Sequence, residues 1–128
     1  MLERFSKLGE HGAIWVAIGL AGAAADEPRR DAWLAGVRRV GLSYVVNQVI
    51  KVIVRRERPA DQAAATFSNL SFPSAHTTTS FCGARMYSRL GLNLYPLAVA
   101  LAISRLLLRV HHPSDVVAGA ALGTVIAR

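Results

Sequence analysis

The stretch at residues 100–119, ALAISRLLLRVHHPSDVVAG, limits most severely what this chain can fold into. Arg105 stands inside an apolar run, His111 and His112 follow it, and Asp115 opens a second apolar run just after Pro113. Ionisable groups are costly in hydrophobic surroundings unless they are paired or used. Arg109 alone reads as a side chain snorkelling from a helix end. The Arg105, His111 and Asp115 set asks for more than that. Pro113 disfavours helical geometry at His112, so the stretch should break there into two helices.

The surrounding chain sets the expected environment. Its 128 residues are one domain's worth, 52% hydrophobic and 18% charged, with a net charge of +7. Such a charge invites a nucleic-acid reading, but no RNA-binding aromatic motif or zinc-ligand spacing supports it, so no nucleic-acid partner is expected. The apolar residues fall in long blocks with the basic residues mostly between them. This pattern predicts an all-α, integral membrane helical bundle of about five transmembrane helices with short loops. The expected location is therefore the cell membrane, as a multi-pass protein with the phospholipid bilayer as a partner. Cys82, the single cysteine, excludes an intrachain disulfide and reads as a small packing residue.

The helices are expected at residues 8–25, 33–54, 73–90, 94–110 and 114–127, after a short amphipathic segment at 2–7. The last has 14 residues, too few to span a bilayer, so it is either trimmed or tucked against its neighbours. Residues 55–72 form a loop with no room for a further domain, which leaves residues 1–128 as one unit. Trp33, Tyr87 and Tyr95 fall on one side, as an interfacial aromatic belt would. Gly119 and Gly123 have the spacing of close helix packing, within the bundle or between copies in a homo-oligomer.

Helices that alternate in direction bring Lys51, Arg58, Ser74, His76, Arg105, His111 and Asp115 to one end. Clustered cations call for an anion, and phosphate suits the planar fork of Arg and the point charge of Lys. The start of the third helix adds free amides and a positive dipole end. His76 and His111 can supply a nucleophile and a proton donor, and Asp115 can orient an imidazole as the acid of a hydrolase triad does. Glu10 and His11 begin the first helix at the same end, as solvated helix-end groups or head-group contacts.

These residues resemble a known family. Residues 51–59, KVIVRRERP, match the K-x6-R-P motif of the type 2 phosphatidic acid phosphatases, the lipid phosphate phosphatase family. Pro73-Ser74-Ala75-His76 is similar to the family's P-S-G-H, and residues 104–115 match S-R-x5-H-x3-D. The three motifs occur in order across residues 51–115, half the chain. The resemblance implies a phosphatase of lipid phosphates that uses no metal and no cofactor. It implies His111 as nucleophile through a phosphohistidine, Asp115 as its orienting partner, and His76 as acid and then base. Lys51, Arg58, Ser74, Ala75 with its adjoining amides, and Arg105 would bind the phosphate. Ala75 replaces the usual Gly, so its amide must be presented from an ordinary helical start. Arg109 stands where many members have Gly, and is read as binding either a second anionic group of the substrate or lipid head groups.

Residues 6–15 together with PSAH resemble small actinobacterial members of that family. The resemblance points to a polyprenyl-linked phosphate such as decaprenyl-phosphoryl-5-phosphoribose, a substrate of cell wall biosynthesis. Undecaprenyl diphosphate and phosphatidylglycerophosphate are the competing substrates. The rival readings are a vanadate-dependent haloperoxidase-like enzyme and a non-catalytic lipid-binding protein. The small size of the chain argues against the first. The intact set of cations, histidines and Asp115 argues against the second.

Overall fold

The computed structural model describes residues 1–66 and 68–128. It is all-α, with six helices among the described residues: α1 (Leu2–Lys7), α2 (Ala13–Ala25), α3 (Arg30–Val54), α4 (Ala75–Ser88), α5 (Tyr95–Leu107) and α6 (Pro113–Ile126). Short 3-10 turns, Glu10–Gly12 and Glu27–Arg29, lead into α2 and α3. Proline lies in the first turn of both α5 and α6, where its missing N–H costs nothing. His112 is extended (φ −77°, ψ 153°), so Pro113 does separate two helices. Pro73 lies outside α4, because Ser74 is the N-cap and its Oγ accepts the Thr77 N–H.

The expected membrane bundle does not hold. No helix among the described residues is long and apolar enough to cross a membrane. The five spans, and the multi-pass cell-membrane location and membrane character that rested on them, are therefore withdrawn. Two features account for the difference. The run at residues 8–25 is cut short by the left-handed residues His11 (φ 53°) and Gly12 (φ 73°), so α2 has only 13 residues. At 1.5 Å per residue that is about 20 Å, against about 30 Å of bilayer hydrocarbon. The one long helix, α3 with 25 residues, carries Arg30, Asp31, Arg38, Arg39 and Lys51.

α4 is the centre of the fold, packed by α6, α3, α5 and α2. Its sequence is unusually polar for that position, and Thr77, Thr78, Thr79 and Ser80 are all fully buried. Each hydroxyl has a partner. Thr78 Oγ1 donates to the Ser74 carbonyl (2.9 Å) and Thr79 Oγ1 to that of Ala75 (3.0 Å). Thr77 Oγ1 bonds Ser74 Oγ (3.0 Å), and Ser80 Oγ accepts from Trp15 Nε1 (3.0 Å). Asn47 on α3 donates to Thr78 Oγ1 (2.9 Å) and to the Pro73 carbonyl (3.1 Å). Buried polar groups paired in this way fix one arrangement of the helices.

The apolar core lies at the other end of α4. Trp33 and Tyr87, read from sequence as belt residues, are buried there with ring centroids 5.4 Å apart. The Tyr87 hydroxyl donates to the Trp15 carbonyl at 2.7 Å. Tyr95 packs edge-on against Phe81. Gly119 and Gly123 lie against α4 within the chain. A Cβ on Gly123 would land on the Thr78 carbonyl oxygen, whereas one on Gly41, on the outer face of α3, meets nothing within 4 Å.

The two glycines should therefore respond oppositely to alanine. Gly123→Ala is expected to destabilise the fold by about 1–3 kcal/mol through overpacking against backbone. Gly41→Ala should stabilise it by about 0.5–1 kcal/mol through helix propensity. Chemical denaturation of the two variants checks both signs.

Candidate active site

The cavity at the N-terminal end of α4 is assembled from four parts of the chain. The last turn of α3 contributes Lys51, and the first turn of α4 contributes Ala75 and His76. The end of α5 contributes Arg105, and the turn before α6 contributes His111. Arg58 enters from the loop between α3 and α4, which folds back through an antiparallel bridge between Glu57 and Leu70. Glu10 and His11 line the outer part of the same cavity.

Other sequence-derived residues sit elsewhere. Asp115 is fully buried behind His111, and Ser74 is buried as the cap of α4, its main-chain N–H donating to the Asp115 carbonyl at 3.0 Å. Arg109 is not brought to the cavity. It is an exposed residue in the left-handed conformation (φ 55°), and its guanidinium pairs with Asp61 at 3.0 Å.

Hydrogen bonds fix the state of His111. Arg58 Nη1 lies 3.2 Å from His111 Nε2. A guanidinium can only donate, so Nε2 is the accepting nitrogen and the ring proton sits on Nδ1. Nδ1 faces Asp115 Oδ2 at 3.5 Å, too long and poorly directed to count as a full hydrogen bond. The Nε2 lone pair points to the side where the cations gather. Arg58 is itself held by the carbonyls of Ser68 (2.6 Å) and Val110 (2.7 Å).

Asp115 is held from three directions. As the third residue of α6 it accepts the His112 N–H at 2.7 Å, the reciprocal half of a capping box. Arg56 Nη1 donates to its Oδ1 at 2.8 Å, and the Arg56 guanidinium also bonds Ser114 Oγ (2.6 Å) and lies over the Phe72 ring. Burial alone would raise the Asp115 carboxyl, but the facing His111 imidazole and hydrogen bonds from His112 and Ser71 outweigh it and bring it down to about 2. It is an anion at any ordinary pH.

His76 is fixed by the N-terminal segment. Its Nε2 is 2.9 Å from the Ser6 carbonyl, which can only accept, so Nε2 carries a proton and Nδ1 is left to titrate. Arg105 Nη1 donates to the Ser6 side chain at 2.7 Å, so one serine ties together two residues of the cavity. Ser6 and Arg56 stand out only in the structure. Arg56 was one of several arginines in a basic loop, and nothing in the sequence marks Ser6, 70 positions from His76, as its neighbour.

The electrostatics are lopsided. Burial lowers Lys51 to about 8, assisted by the charge of Arg58, and lowers Arg105 to about 10. It lowers His111 to about 4 and His76 to about 3, with Arg58 and Arg105 adding to both. Buried Arg105 Nε has no partner among the described residues. Three crowded cations thus face an imidazole lone pair, an arrangement whose mutual repulsion an oxyanion would relieve.

Comparison with known proteins agrees with that chemistry. The PAP2 superfamily model matches residues 37–128. Decaprenylphosphoryl-5-phosphoribose phosphatase of Mycolicibacterium smegmatis is 44% identical over 120 residues, covering 89% of this chain and 67% of that protein. The protein of the same name from Mycobacterium tuberculosis is 42% identical over 127 residues, covering 94% of this chain and 72% of its own length. Among solved structures, a transmembrane PAP2-type phosphatidylglycerolphosphate phosphatase from Bacillus subtilis superposes with a TM-score of 0.83. It is 25% identical, and the match covers 98% of this chain and 71% of that one. The matched residues 37–128 include Lys51, Arg58, His76, Arg105 and His111, and this chain belongs to the PAP2 superfamily and is a lipid phosphate phosphatase, a phosphoric ester hydrolase.

Proposed function

We propose that residues 1–128 act as one catalytic unit that hydrolyses the phosphate monoester of a polyprenyl-linked lipid, with His111 as the nucleophile. The carrying observation is the convergence of Lys51, Arg58 and Arg105 on the Nε2 side of His111, whose other nitrogen faces Asp115. In this reading the Nε2 lone pair attacks phosphorus as the ester P–O bond breaks. Lys51, Arg58, Arg105 and the amides at Ala75 and His76 hold the equatorial oxygens, with Ser74 fixing the helix start that presents those amides. Positive charge that develops on His111 is stabilised by Asp115. His76 gives a proton from Nδ1 to the departing alkoxide. It then takes one from a water molecule, which attacks the phosphohistidine and releases inorganic phosphate. Burial, with Arg105 adding, keeps His76 neutral in the empty site, so the proton that Nδ1 passes on arrives with the substrate as its phosphate monoanion. The side-chain cations do the neutralising that a divalent metal does in other phosphatases, so no metal is needed.

Two observations support the lipid assignment. An exposed apolar face of α3, with Val45, Val49, Val52 and Ile53, borders the cavity at Tyr44 and Gln48, which line both. A phosphate held at His111 thus has a path for its hydrocarbon chain. The relatives with 42% and 44% identity act, by name, on decaprenylphosphoryl-5-phosphoribose, which favours a polyprenyl-linked sugar phosphate. The B. subtilis enzyme makes a glycerolipid phosphate the second reading, at lower identity. Lining by Glu10 and His11 supports assigning them to the head group, and the pairing of exposed Arg109 with Asp61 speaks against assigning it there.

Three outcomes test this reading. His111→Ala should lower phosphate release from a detergent-dispersed polyprenyl-linked phosphate by about 10³-fold or more while the circular dichroism spectrum is retained. Activity should survive EDTA. In the free enzyme the nucleophile is blocked by protonation below about 4 and the Lys51 charge is lost above about 8. Consequently kcat/KM should rise through the first pH and fall through the second. Lys51→Arg should carry the alkaline limb upward, and an unmoved limb would remove Lys51 from the phosphate site.

A further inference from the structure

We infer that Glu10, His11, Tyr44 and Gln48 form a hydroxyl-recognising subsite that takes a polyol, such as a sugar, carrying the reacting phosphate. The inference rests on the phosphatase reading above and adds what selects the substrate.

The cavity changes character along its length. Around His111 it is cationic. The Glu10 carboxylate, close enough to Arg105 to favour its charge, lines it together with the His11 imidazole, the Tyr44 hydroxyl and the Gln48 amide. Tyr44 and Gln48 also border the exposed apolar face of α3. A ligand that matches this order has a phosphate at one end, hydroxyl groups next to it and hydrocarbon beyond. Carboxylate, phenol and amide together supply the mixture of acceptors and donors that neighbouring hydroxyls require.

The face is built rather than incidental. His11 adopts a left-handed conformation (φ 53°, ψ 18°), which is unfavourable for a residue with a Cβ. It is held there by a 2.7 Å hydrogen bond between Nδ1 and the Tyr44 hydroxyl, with the rings edge-on at 5.6 Å. Glu10 Oε1 lies 3.7 Å from the other ring nitrogen. Gln48, half-buried beside them, makes no side-chain hydrogen bond to the described residues. Glu10 and His11 lie outside residues 37–128, the part matched by the superfamily model, whereas Tyr44, Gln48 and the cation cluster lie inside it.

The test begins with the unaltered protein. Two detergent-dispersed substrates are compared: a prenyl-phosphoryl pentose 5-phosphate and its counterpart lacking the two ring hydroxyls. The wild type should prefer the hydroxylated substrate by about 10-fold or more in kcat/KM, because unpaired groups of the subsite reject the other. Equal rates on both would overturn the subsite while leaving the phosphatase reading intact. Release of phosphate from neither would remove the phosphatase reading and the subsite with it. Tyr44→Phe and Gln48→Leu should then bring the ratio of the two rates toward one, and a ratio unchanged in both variants would overturn the assignment to these residues.

Discussion

Three cations crowded side by side are the constraint on which the structure depends. Lys51, Arg58 and Arg105 come from three separate segments; Lys51 and Arg105 are buried and Arg58 is half-buried. Bringing such charges together is unfavourable both by desolvation and by repulsion, as their lowered proton affinities register. The surrounding chain offsets this with main-chain carbonyls. Arg58 reaches those of Ser68 and Val110, and Lys51 approaches that of Leu70 at 3.4 Å. Among the described residues of the loop between α3 and α4, Ser68 and Leu70 supply two of these carbonyls.

Asp115 links that cluster to the helix framework. One carboxylate caps α6, pairs with Arg56 and faces His111, so the position of α6 and the state of the imidazole are set by the same group. Close contact of Gly119 and Gly123 with α4 keeps α6 against the helix whose first turn carries His76. Ser6 performs a comparable task on the other side, joining His76 to Arg105. Packing and site geometry are thus parts of one network, in which a shift of α1 or α6 would be felt at an imidazole.

Much of this is legible in the sequence, for identifiable reasons. Pro113 forces the break at His112, and helix alternation carries Lys51, His76, Arg105 and His111 to one end. Helix lengths are less legible. Hydropathy treats residues 8–25 as continuous, but the left-handed turn at His11 and Gly12 interrupts them, and that turn is a tertiary matter set by Tyr44. The same averaging makes Trp33 and Tyr87 resemble an interfacial belt, when they stack in a core beneath Trp15. Arg109 was ambiguous because its partner, Asp61, lies 48 residues away in a loop with no periodicity to place it. Ser6 and Arg56 act through partners distant in sequence, and a single chain carries no signal for such pairs.

The central claim is that Arg58 and Asp115 set the tautomer of His111, so that Nε2 attacks phosphorus. The most direct measurement is to quench the enzyme with alkali during turnover and locate the phosphoryl group by mass spectrometry and 31P NMR. The account predicts phosphate on Nε2 of His111. Phosphate on Nδ1 of that ring, or on any other residue, would contradict it.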